Sequence, residues 1–88
     1  MISAANIAFD IGEMTAPPQQ NFTIEFHNND PGIPHNVEIR DAAGQSLFQG
    51  EIFNGVDTRL YAVPALNAGN YTFICTVHPN MTGTLKVQ

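Results

Sequence analysis

A second cysteine is missing from this chain: Cys75 stands alone among 88 residues, so no internal disulfide can close the fold. Positive charge is scarce as well. Arg40, Arg59 and Lys86 face eight carboxylates, for a formal net charge of -5, which gives no footing for nucleic acid or for an anionic membrane surface. The acidic residues (Asp10, Glu13, Glu25, Asp30, Glu38, Asp41, Glu51, Asp57) are spread along the chain without forming a run. They imply basic partners in general and locate no docking patch. No apolar stretch approaches the ~20 residues of a membrane-spanning helix, no charged-then-apolar leader opens at Met1, and no helical period recurs. The length leaves room for one domain, 1–88, which buries only roughly 60 to 65% of its unfolded surface. A bound metal would add stability that no disulfide can.

What the chain does have is a concentration of soft and borderline donors. Cys75-Thr76-Val77-His78-Pro79-Asn80-Met81 offers a thiolate, an imidazole and a thioether within seven residues. Thiolate and imidazole bind many transition metals, but the thioether prefers copper to zinc, calcium or magnesium. The Asp30-Pro31-Gly32-Ile33-Pro34-His35-Asn36 segment supplies a second histidine. Two His, one Cys and a weak axial Met make up the donor set of a blue-copper electron-transfer centre. In that reading Cys75 is the thiolate ligand and the covalent path for the electron, His35 and His78 complete a trigonal plane, and Met81 is the long axial ligand to a single copper ion. Pro34 before His35 and Pro79 after His78 stiffen both loops. Around the donors, Asn36 is expected to bond across to Thr76, and its backbone N–H to donate to the Cys75 sulfur.

Alternation of apolar and polar residues predicts strands at Asn6–Ile11, Asn21–His27, His35–Arg40, Thr58–Val63, Asn70–Cys75 and Thr82–Val87. Glu13–Gln20, with Pro17-Pro18, reads as a loop, and Asp41–Gly44 as a turn. Gln49–Asp57 reads as an irregular connection with room for a short helix. Strands at this spacing, punctuated by Gly and Pro, indicate an antiparallel sandwich or barrel with His35 and the Cys75–Met81 loop at one end. His27, beside Glu25 on the outward face, reads as a surface residue, and Asp57 with Arg59 as a solvated loop pair.

Phe26–Asn36 (FHNNDPGIPHN) and Gly69–Lys86 (GNYTFICTVHPNMTGTLK) resemble the two metal-binding segments of cupredoxins, small blue-copper proteins. The first is plastocyanin-like and the second, with its Cys-x2-His-Pro-x-Met spacing, amicyanin-like. The resemblance implies an all-β Greek-key sandwich or barrel, here trimmed around Gln45–Asp57, holding one type 1 copper. It also implies that electrons pass at the exposed edge of His78, rimmed by Ile33, Pro34 and Pro79. Leu66-x2-Gly69-x-Tyr71 resembles the tyrosine corner of Greek-key proteins. The clustered acidic patch of plant plastocyanins is missing, so a photosynthetic partner is not expected.

The expected function is therefore one-electron transfer, as a monomer, to and from transient redox partner proteins of a basic or cytochrome-like kind. A mature or excised domain working in the periplasm or outside the cell is expected. Copper delivery or storage would use the same ligands, and a metal-free scaffold module would use none. A dinuclear copper electron-transfer domain needs a second bridging cysteine, and copper enzymes need paired His-x-His motifs or further histidines for a second copper; this chain has none of these.

Overall fold

Phe22-Thr23-Ile24-Glu25-Phe26 sends Ile24 and Phe26 into the core and leaves Thr23 and Glu25 in solvent, the period-two pattern of a strand with one wet face. That strand is one of eight in the computed structural model, which describes residues 2–88. In chain order they are β1 (Ile2–Ala4), β2 (Glu13–Ala16), β3 (Phe22–Asn28), β4 (Glu38–Arg40), β5 (Ser46–Gln49), β6 (Asp57–Val63), β7 (Gly69–Ile74) and β8 (Thr82–Val87). There is no helix among the described residues, and so none long and apolar enough to cross a membrane. The strands form two sheets, ordered β1-β3-β6 and β2-β8-β7-β4-β5. The all-β sandwich expected from the spacing is the architecture found.

The core lies between the sheets. Ile24, Phe26, Tyr61 and Val63 from one sheet meet Ile39, Phe73, Leu85 and Val87 from the other. Phe26 is its aromatic hub, edge-on to Phe9 (6.3 Å between centroids) and Phe53 (5.8 Å) and stacked on Tyr61 (5.9 Å). Each such pair contributes about 0.5–1.5 kcal/mol beyond area burial. The Tyr71 hydroxyl donates to the Asn67 carbonyl at 2.7 Å, so the expected tyrosine corner is formed.

Several expectations need correction. Asn6–Ile11 is not a strand: Asn6 and Ile7 both lie at φ 55°, Ala5 and Ala8 exchange backbone hydrogen bonds, and only Phe9 forms a bridge, to Ala4. Its apolar alternation fails as a signal because Ile7 and Ile11 stay exposed while the backbone turns inward to bond Asp30. Glu13–Gln20 is not all loop either. Its prolines follow Ala16, leaving the amides of residues 13–16 free for β2 to pair with β8. That pairing and β1–β3 are parallel, so neither sheet is purely antiparallel. The trimmed region holds the short strand β5, antiparallel to β4, and then an irregular run with a turn at Gly55 (φ 82°) in place of a helix. From His35 the in-out alternation breaks down, because Asn36 and Glu38 are buried along with Val37 and Ile39.

β7 and β8 carry the Cys75–Met81 loop and pair from Gly69↔Val87 to Ile74↔Thr82, with Phe73 opposite Gly83. A Cβ at Gly83 would fall on the Phe73 ring and 2.7 Å from the Gly12 carbonyl. Gly83→Ala should therefore destabilise the metal-free protein by about 1–3 kcal/mol, read as a lower urea midpoint. Gly12→Ala, which meets open space, should stay within about 0.5 kcal/mol. Equal midpoints for the two variants would contradict this account of the β7–β8 contact.

Candidate metal centre

The Cys75–Met81 connection is closed by its own backbone. Cys75 N–H donates to the Met81 carbonyl at 3.0 Å and Met81 N–H to the His78 carbonyl at 2.8 Å. This folds the segment over itself, with Cys75 and Met81 buried and His78 only partly so. The preceding loop, Asn29–Pro34, is wound around Asn28. The Asn28 carboxamide oxygen accepts from Asp30 N–H at 2.9 Å, and its amino group donates to the Ile33 carbonyl at 3.0 Å and the Phe53 carbonyl at 3.3 Å. Gly32, at φ 72°, supplies the left-handed residue that the turn needs. His35 then leaves the loop paired with Phe53, each amide donating to the other's carbonyl at 3.2 Å.

Asn36 ties the two loops together. Its carboxamide oxygen accepts from Thr76 N–H at 2.8 Å, and its amino group donates to Thr76 Oγ1 and to the Gly50 carbonyl, both at 3.0 Å. Thr76 Oγ1 donates in turn to Glu38 at 3.3 Å, and Glu38 pairs with Arg40 at 2.9 Å. The Asn36–Thr76 contact expected from the sequence is thus made. The expected bond from Asn36 N–H to the sulfur is not among the hydrogen bonds of the described residues.

Three donor atoms converge here. Cys75 Sγ lies 3.8 Å from His35 Nδ1 and 3.7 Å from His78 Nδ1, and all three donors fall within 4.8 Å of one another. An ion bonded to sulfur at about 2.3 Å and to nitrogen at about 2.05 Å, the lengths zinc shows with these ligands, would separate S and N by about 3.8 Å at a trigonal angle. The spacing therefore fits a trigonal plane of three donors without rearrangement. Imidazole and thiolate suit zinc or copper; the buried Met81 that closes the loop tips the choice to copper. Ile33 and Pro34 beside His35 are partly exposed, and Val77 and Pro79 beside His78 are exposed.

One residue of this centre was missed by the sequence reading. His35 Nε2, the ring nitrogen facing away from the sulfur, bonds Asp30 Oδ2 at 2.7 Å in a buried pair. The Ile7 amide, the His35 ring and the Asn6 amide hold the Asp30 carboxyl below its ordinary range, against the upward push of burial. The available signal was an acid five positions ahead of a candidate ligand in a stiff loop, but Asp30 looked like an ordinary turn former. His27 is the surface residue expected, bonded to Glu25 at 2.6 Å and Thr58 at 2.8 Å. Asp57 and Arg59 do pair, but on β6 rather than in a loop.

The family model for cupredoxin-like domains matches residues 1–87. Amicyanin of Paracoccus versutus is 35% identical over 57 residues, a match covering 64% of this chain and 42% of that protein, so the chain aligns with less than half of its curated relative. Among solved structures, auracyanin A of Chloroflexus aurantiacus, described as a "blue" copper protein, is similar over 99% of this chain and 95% of its own at 26% identity and a TM-score of 0.85. The dithionite-reduced auracyanin of Roseiflexus castenholzii matches the fold equally well, with a TM-score of 0.85 at 21% identity over 99% of this chain and 94% of its own.

Burial raises the Glu38 carboxyl, but hydrogen bonds from Ser46, Arg40 and Thr76 and the Arg40 charge outweigh it and leave it below its usual range, as at Asp30. A carboxyl whose folded value is depressed stabilises fully above its unfolded value, near 4, and loses that stabilisation as pH falls through the lower folded value. The urea midpoint of the metal-free protein should hold from pH 7 to about 5 and fall below about pH 4. Glu38→Gln should make that fall shallower; a wild-type midpoint flat down to pH 3 would remove these carboxylates from the stability account.

Proposed function

Since this chain belongs to the cupredoxin-like domain family, we propose that it carries single electrons on one copper ion held by His35, Cys75, His78 and Met81. The observation that carries the reading is the convergence of two imidazole nitrogens on one buried thiol, at separations that match a trigonal plane. The "blue" copper description of auracyanin A, whose length this chain nearly spans, supports it. Bound copper would supply a one-electron Cu(I)/Cu(II) couple. The chain's part is to keep the ligands still, so that little rearranges between the two states.

The roles follow from position. Cys75, wholly buried at the end of β7, is the thiolate and the covalent link into the sheet. His35, also wholly buried, would be the inner ligand, and the buried Met81 would complete the donor set with its thioether. His78 is the ligand with an exposed edge, and Ile33, Pro34 and Pro79 form an apolar rim around it for brief contact with a redox partner. Pro34, Asn36, Thr76 and Pro79 support the ligands from behind. A centre closed by four protein donors would leave no position for a substrate, so the reading is of a carrier without enzymatic activity. Residues 1–88 act as a single domain and a monomer, in the periplasm or outside the cell, with transient protein partners. Burial of Cys75 and His35 disfavours delivery or storage, because an acceptor could not reach the ion without opening both loops.

One equivalent of Cu(II) should give an intense orange-red absorption band that is absent in Cys75→Ser. A weak or missing band in folded wild type would mean that the four side chains do not bind as a set. Delivery is separated from electron carrying by challenging the reduced holoprotein with a copper chelator. Slow loss of metal alongside fast electron self-exchange is expected; transfer to the chelator within seconds would favour delivery.

A further inference from the structure

We propose that Asp30 is a positioning residue for His35 that biases the centre toward Cu(II), and that the N-terminal turn at Asn6-Ile7 is built to hold it there. The proposal rests on the copper reading of the site and adds a part of the chain that none of the four ligands touches in sequence.

The two histidines are not equivalent. His35 presents Nδ1 to the sulfur and has its other nitrogen against Asp30 in a buried contact. His78 also presents Nδ1 to the sulfur, but no comparable contact to its second nitrogen exists among the described residues. With Asp30 ionised, His35 Nε2 must carry the proton, which leaves the Nδ1 lone pair free for metal. A hydrogen bond from a ligand imidazole to a carboxylate raises the basicity of the ligating nitrogen. The more basic nitrogen favours the more highly charged oxidation state.

A buried carboxylate needs donors of its own, and the N-terminal segment provides them. Asn6 N–H donates to Asp30 Oδ1 at 2.6 Å and Ile7 N–H to Oδ2 at 3.0 Å. Consecutive amides reach one anion because both residues lie at φ 55°, in the left-handed region. Successive amides arranged in this way form an anion-binding nest. For a β-branched residue such as Ile7 that conformation is a genuine outlier, which persists only where surrounding contacts impose it. Those contacts are present: Ala5 and Ala8 exchange backbone hydrogen bonds, Asn29 N–H donates to the Ala4 carbonyl at 2.8 Å, and Asp10 N–H to the Ser3 carbonyl at 2.9 Å. Ile7 is 42% exposed, so side-chain burial does not explain its strained backbone. The tight turn closed by Ala5 and Ala8 requires it, and the Asp30 carboxylate is what its two amides meet.

Asp30→Asn in the copper-loaded full chain tests this. The band of the Cys75–copper bond should remain. Affinity for Cu(II) should fall by roughly 10–100-fold, as for other residues supporting a ligand, with a smaller loss for Cu(I). Each tenfold difference between the two raises the reduction potential by about 59 mV. Glu38→Gln, which removes a buried carboxylate touching no ligand, should move the potential less. An unchanged potential in Asp30→Asn with its band intact would overturn the proposal. A second measurement needs no variant: in the metal-free wild type, nitrogen NMR should show His35 protonated on Nε2. Protonation on Nδ1 would overturn the Asp30 contact. If the wild type never develops the band, the copper reading fails, and this NMR result still decides whether Asp30 orients His35.

Discussion

Everything at the metal end depends on the double hydrogen bond between Asn36 and Thr76. β4 and β7 pair antiparallel from Arg40↔Thr72 to Glu38↔Ile74, and continuing that register by two residues sets Asn36 opposite Thr76. There the Asn36 carboxamide replaces the backbone ladder, accepting a hydrogen bond from the Thr76 amide and donating one to its hydroxyl oxygen. A side chain spans farther than a backbone pair, so the strands stay tied while they part, and His35 and Cys75 emerge on either side of the tie. Each bond adds only about 0.5–1.5 kcal/mol net, but leaving buried partners unpaired would cost about 1–3 kcal/mol per group. This asymmetry makes the separation of the two loops specific rather than merely favourable.

The irregular stretch after β5 follows from the same need. Gly50 accepts from Asn36, Glu51 accepts from the Tyr61 hydroxyl at 2.6 Å, and Phe53 pairs its backbone with His35 while its ring meets Phe26. A regular strand could not aim successive residues at three different neighbours. Arg59 lies over the outer side of Phe53, 4.4 Å from the ring centroid, so this wall also has a cover. The segment serves as a wall behind His35 and Asn36 rather than as another strand.

Legibility in the sequence divided by how local each feature is. Cys75, His78 and Met81 share one loop, so their spacing alone suggests a donor set, and the structure brings the first two together at 3.7 Å. His35 is forty residues from Cys75, yet its stiff loop and the apolar phase after it marked it as the partner. Asn36–Thr76 could be anticipated because each residue adjoins a ligand. Asp30 was harder to read: it lies only five positions ahead of His35, but the amides that hold it come from Asn6 and Ile7, more than twenty positions away. The misread Asn6–Ile11 segment has the same nonlocal character: its alternation was genuine, but its backbone turns tightly between Ala5 and Ala8 and gives two amides to Asp30. β2 was hidden by prolines that lie just beyond it, and parallel pairing with β8 leaves no turn to read.

A rigid centre must be rigid before the metal arrives, or binding would have to supply the ordering. Among the described residues no buried side-chain nitrogen or oxygen lacks a hydrogen-bond partner. Asn28, Asp30, Asn36 and Glu38, the buried polar residues around the ligands, are each satisfied by protein groups, so the frame does not rely on an ion to complete it. Such a network contributes more to uniqueness than to raw stability, since partial satisfaction would be worse than an apolar core. In a chain with a single cysteine, that places the work of a missing disulfide on hydrogen bonds that also orient the donors. Fixing the inner histidine from behind and leaving the outer one partly exposed then gives one frame two ends: the buried side resists rearrangement, and the other side stays open to solvent.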